Sequence, residues 1–99
     1  KAPKLFYKYD AKNGLGALKL KEGATSNFNA HEIFGKTYYP LIVGGKEAEA
    51  MKKEKLFSGP GDLVRGFFGK DMVVIGVLEE TGTIVDNVHF TSLGEADFQ

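Results

Sequence analysis

Apolar and polar positions along this chain alternate in short stretches, and only one segment breaks that habit. KLFYKYD, residues 4–10, is aromatic-rich and reads as a strand. Asn13-Gly14 follows, a strong short-range hairpin signal because both residues tolerate positive φ. The expected partner is Leu15–Lys21, where Leu18 and Leu20 alternate with Lys19 and Lys21. Residues 22–29 are small and polar, a loop, and residues 32–36 fit neither period. YYPLIV, Tyr38–Val43, predicts a further strand, with Pro40 expected at its start or at a sheet edge because proline cannot donate to a ladder.

The helical period appears only after Gly44-Gly45. KEAEAMKKEKLF is rich in good helix formers, with Glu49 one turn from Lys52 and Lys53, and predicts one main helix over about residues 45–57. Ala48 and Met51 mark its apolar face, and Leu56-Phe57 close it onto a core. Ser58-Gly59-Pro60-Gly61 stops it. Three more strands are predicted: Asp62–Phe68, then Met72–Glu79 after a turn at Gly69-Lys70-Asp71, and Val85–Thr91 after Thr81-Gly82-Thr83. The order is β-β-β-α-β-β-β. This predicts an α+β fold with a mostly antiparallel sheet or a partly closed barrel.

Ninety-nine residues make a single domain, 1–99, with room for a modest core. The 13 Gly suit a turn-rich sheet protein, and eight Phe with four Tyr suit an ordered one. Acids and bases balance at 13 each, and Arg65 is the only arginine, so the footprint of a nucleic-acid binder is missing. Residues 1–21 carry six Lys against Asp10 alone, whereas residues 71–99 carry six acids and no base. That split can steer a partner or simply mark two solvated faces. No Cys is present, which removes disulfides and thiolate metal sites. The longest apolar run, Met72–Leu78, is seven residues, against roughly 20 for a membrane span, so no insertion of this segment into a membrane is expected. The first residue is Lys1 and no signal-like segment follows, which reads as a processed product or a piece of something longer.

Candidate chemistry is thin. Gly44-Gly45-Lys46 and Gly66-Phe67-Phe68-Gly69-Lys70 lack phosphate-loop spacing, although a Gly pair before a helix offers free N–H groups to an anion. His31-Glu32 together with Asp86 and His89 has the ligand types for zinc or nickel, but two separate sequence pairs do not establish proximity. Glu79, Glu80 and Asp86 are carboxylates near one turn. Neighbours on a strand point to opposite faces, however, so Glu79 and Glu80 are no natural acid–base pair. No catalytic residue, metal or cofactor is assigned, and enzymatic activity is not expected. The doublets Tyr38-Tyr39 and Phe67-Phe68 should each turn one ring inward and one outward, which makes these four residues the candidate partner-binding set.

From Leu41 onward the order of short motifs is distinctive: Ile42-Val43-Gly44, the small-residue helix Ala48–Met51, Gly61-Asp62, Val74–Leu78 around Gly76, then Thr81–Asp86 and the apolar Val88–Phe90 with Leu93. This order resembles the extracytoplasmic core domain of FtsX-like ABC-transporter permeases of the macrolide-exporter and lipoprotein-release type. The match covers just over half the chain, and its specificity lies in order and spacing. The resemblance implies a non-catalytic extracytoplasmic domain of a membrane protein. Such a domain relays conformational change from ATP hydrolysed elsewhere, with other regions or subunits of the transporter as partners. The alternative is a free-standing secreted or periplasmic ligand-binding module; a small hydrolase ranks below both. Read for themselves, Gly76 permits close approach of another element, and Asp86 or Asn87 can bind backbone groups ahead of the last strand.

Overall fold

The computed structural model describes residues 5–8, 14–25 and 29–93, with residues 5–8, 84 and 85 described through their backbone. Its centre is a pair of parallel strands, β4 (Lys36–Val43) and β6 (Lys70–Leu78), joined by the helix α1 (Gly45–Lys53) and by β5 (Leu63–Phe67). Both strands are apolar on both faces, as strands covered on both sides must be. The remaining strands are β1 (Leu5–Lys8), β2 (Leu20–Gly23), β3 (His31–Ile33) and β7 (Val88–Thr91).

Each edge of the central pair is shared by two strands. On the outer edge of β4, β3 pairs antiparallel near its start and β7 antiparallel near its end. On the outer edge of β6, β5 takes the first half and β2 the second, both antiparallel. β1 extends the sheet beyond β7 and runs parallel to it. The result is an α+β domain with one helix and a mixed sheet curled into a half-barrel, antiparallel ladders outnumbering parallel ones.

Four local expectations are corrected. β1 does not pair with the segment after Asn13-Gly14. It joins β7, while β2 joins β6, and Asn13 itself lies outside the described residues. Residues 14–17 form turns, and Leu15, Leu18 and Leu20 cover the back of the sheet rather than alternating along a strand. Pro40 is buried in a central strand, not at an edge. It falls in the gap where β3 has ended and β7 has not begun, a stretch with no ladder partner on that side. The last strand starts at Val88, because residues 84–87 form a 3-10 turn.

Two apolar clusters sandwich the sheet. One lies under α1, where Ala48, Met51 and Phe57 meet Leu41, Val43, Met72, Val74 and Val77. The other, on the back, joins Ile42, Leu78, Val88 and Phe90 to the three leucines of residues 15–20. Gly76 sits opposite Gly23 in register, where Leu20 and the Glu22 carbonyl press close; this is the close approach its missing side chain permits. α1 stops short of the expected residue 57. Lys55 takes φ 61°, and the N–H groups of Leu56 and Lys55 donate to the carbonyls of Met51 and Lys52, a Schellman ending.

The hairpins β3–β4 and β5–β6 are closed the same way. Ile33-Phe34-Gly35-Lys36 and Phe67-Phe68-Gly69-Lys70 each place two residues between a closing pair. Both central residues of each turn are at positive φ, 50° and 75° in one, 51° and 81° in the other, the type I′ pattern. The second turn is thus Phe68-Gly69, one residue earlier than the sequence suggests. Glycine suits the second position. Phenylalanine does not suit the first, where Asn is favoured and a left-handed L-residue costs about 1–2 kcal/mol. Phe34→Asn is therefore expected to raise the unfolding free energy by about 1 kcal/mol in denaturant melts. Phe68→Asn should gain less, because Phe68 stacks edge-on against Phe67 at 5.1 Å.

Candidate functional site

The strands β4 and β6 are parallel, so the domain has two unlike ends. At the end where they finish, α1 begins. Gly44 and Gly45 form no turn here; Gly44 has φ −59° and ψ 146°. They are glycines for want of space. A Cβ on Gly44 would stand 2.6 Å from the Val88 carbonyl oxygen and nearer still to that of Asp86, and one on Gly45 would stand 2.8 Å from the Leu78 carbonyl oxygen. The start of the helix is therefore closed off by the 3-10 turn and the residues after β6. The anion site that a Gly pair before a helix offers in principle has no open approach here.

Asp86 anchors that closure. Its side chain is buried, and its carboxylate accepts from Thr81 N–H at 2.7 Å, Thr81 Oγ1–H at 3.0 Å and Gly82 N–H at 2.8 Å. Burial alone would raise its pKa. These donors, with the Thr83 N–H, outweigh burial and hold the carboxyl below its ordinary value. Asp86 N–H in turn donates to the Thr83 carbonyl, which completes the 3-10 turn. Every acceptor contact of Asp86 here fixes its own loop. Glu79 and Glu80, both exposed, take no part in it. His89 is fully buried, with Gly44 N–H donating to Nδ1 at 3.4 Å and the Phe67 ring edge-on at 5.6 Å.

The other end carries the two Phe-Gly-Lys turns side by side. Lys36 Nζ meets Asp71 Oδ2 at 2.9 Å across the β4–β6 pair, and Asp71 Oδ1 accepts from Gly66 N–H at 3.0 Å. One carboxylate thus ties both hairpins together. The lysine beside it holds the Asp71 carboxyl below its usual range, and Asp71 raises Lys36. Arg65 Nε donates to Tyr38 Oη at 3.3 Å. Phe34 projects wholly into solvent at 104% of its reference exposure, and Phe68 is 49% exposed.

The four candidate partner-binding residues separate accordingly. Tyr38 and Phe67 are buried, Tyr39 is half-buried against the core under α1, and Phe68 alone among them is exposed. Phe68 faces outward from a turn rather than from a strand. Phe34 completes the surface. Sequence periodicity passed over it, although the repeated Phe-Gly-Lys was there to be read. His31 pairs with Tyr38 in β3, whereas His89 lies in β7 beside the start of α1; among the described residues no three metal-ligating side chains cluster. No known protein family, curated protein or solved structure matches this chain.

Proposed function

We propose that the chain is a non-catalytic interaction domain of the FtsX-like permease type, held on the extracytoplasmic side of a cell membrane. In this reading it passes conformational change to a partner or substrate, and the other regions or subunits of the transporter bind it. The observation that carries the reading is the end with the twin hairpins, where Phe34 and Phe68 are displayed on turns braced by Lys36 and Asp71. A rigid body presenting exposed aromatics is built for contact. The motifs behind the resemblance also follow the order of the elements: Ile42-Val43 ends β4 and Gly44 caps α1, Ala48–Met51 lies in α1, Gly61-Asp62 leads into β5, and Val74–Leu78 ends β6. The decisive test is the coding sequence on either side. It should contain a stretch of about 20 apolar residues within a few dozen positions. A reporter active only outside the cytoplasm, fused in that full-length chain, should then be active. A flank without such a stretch would sink the reading.

A free-standing secreted or periplasmic binding module is the second reading. It is favoured by a depression of about 490 Å³ lined by Ile33, Pro60, Val73, Val74 and Ile75. A small apolar ligand at 100 times its dissociation constant would stabilise such a module by about 2.7 kcal/mol, visible as a thermal shift.

A further inference from the structure

We propose that the β5–β6 hairpin is a two-register switch: the observed register holds Phe67 in the core, and a second takes the bulge before it into the turn and releases Phe67 to the surface. Three irregularities lie side by side. Val64 pairs with Met72 and Phe67 with Lys70, so Arg65 and Gly66 together face Asp71 alone. Gly66 takes φ 68°. Phe68 takes φ 51°, a left-handed position that an L-residue resists.

The bulge is what turns Phe67 inward. Val64 and Phe67 both belong to the cluster under α1. Three positions apart on a regular strand, they would point to opposite faces. Without the bulge the ladder runs on in step from Val64 and Met72. Arg65 then meets Asp71, Gly66 meets Lys70, and Phe67-Phe68-Gly69 is left as a three-residue loop. Such a loop needs a left-handed residue in third place, and glycine already stands there. Gly66 and Phe68 both return to ordinary backbone conformations, while Phe67 leaves the core. The change is confined to residues 65–70, because the pairs Leu63–Val73 and Val64–Met72 are common to both registers.

Two features favour the observed register. Phe67 is buried, with its ring edge-on to His89 at 5.6 Å. Asp71 Oδ1 accepts from Gly66 N–H at 3.0 Å while Lys36 Nζ holds Oδ2. Against them stand the bulge and the left-handed Phe68, a balance that leaves the second register as a minority state. The β3–β4 hairpin has the same Phe-Gly turn, but its ladder is in step from His31 to Ile33, so Phe34 has no bulge to exchange for relief. A partner that takes up Phe67 would shift the hairpin toward the second register. The hairpin acts in this way whatever the flanking sequence holds, so the permease reading can fail without it, and the reverse.

Relaxation-dispersion NMR of the 99-residue chain reads the switch on the microsecond-to-millisecond scale. Amides of residues 65–70 should show exchange that those of residues 33–36 do not. Phe68→Asn relieves the two-residue turn and should lower the minor population about tenfold, the order set by the left-handed penalty. Gly66→Ala should raise it to a similar degree, because a Cβ there meets nothing within 4 Å and only the positive φ opposes it. In that variant a cross-strand contact between residues 66 and 70 should grow at the expense of the one between 67 and 70. Flat profiles in the parent and in Gly66→Ala alike overturn the proposal. So does a Phe68→Asn chain that exchanges as strongly as the parent, and so does equal exchange in the β3–β4 turn. Phe68→Asn favours the observed turn, so its result decides the matter even where Gly66→Ala fails to fold.

Discussion

Gly44→Ala is expected to cost the fold about 3 kcal/mol or more, the upper range for overpacking against groups that cannot yield. The added methyl would press on two main-chain carbonyls, those of Asp86 and Val88, and not on the end of a flexible side chain. Relief requires moving either the first turn of α1 or the 3-10 turn that leads into β7. The Gly44 N–H bond to His89 Nδ1 would be disturbed by the same movement. Gly59→Ala is the control. Its Cβ would meet only Glu22 Oε1, at 3.4 Å, and its φ lies outside the left-handed region. That change should stay within about 0.5 kcal/mol of the parent, because neither space nor backbone conformation opposes it. Denaturant midpoints at constant m-value read both. A Gly44→Ala protein within 1 kcal/mol of the parent would mean that the helix start is not seated on these carbonyls.

Gly44 also shows where sequence reading stopped. Two glycines ahead of an Ala/Glu/Lys run mark a helix start correctly, but their cause is a close approach from residues 80–88, which no local pattern contains. The same holds for the sheet. Apolar runs located β4 and β6, and the turn expected at Gly69-Lys70-Asp71 separated β5 from β6, one residue late. That β4 and β6 are parallel neighbours depends on α1 crossing over, a long-range fact hidden behind the more visible β5–β6 hairpin. Asn13-Gly14 has the favoured hairpin composition, yet the described type I′ turns are Phe34-Gly35 and Phe68-Gly69. Propensity points away from a left-handed Phe, so it passes over the two residues that make the surface distinctive. A backbone-binding role ahead of the last strand was legible at Asp86 or Asn87, and the fold assigns it to Asp86, whose carboxylate accepts from the N–H groups of Thr81 and Gly82.

Asp86→Ala should destabilise the chain by about 2–3 kcal/mol, in line with removal of a buried carboxylate that accepts charge-assisted bonds. The donors it leaves, at Thr81 and Gly82, belong to exposed residues that water can reach, which keeps the loss below that of a sealed site. Asp86→Asn tests geometry against charge. Its amide can accept through one oxygen only, and its NH₂ would face a backbone donor, so most of the loss should persist. The charge has a further consequence in acid. The folded pKa lies below the unfolded one, so the folded state binds its proton less readily than the unfolded chain does. The resulting stability is complete above the unfolded carboxyl value of about 3.9 and is lost as pH falls through the lower folded value. Unfolding free energies of parent and Asp86→Asn should therefore converge as pH drops through that window, and stay apart from pH 5 to 7. A constant gap across the whole range would show that the carboxylate is held no more tightly in the fold than in the unfolded chain.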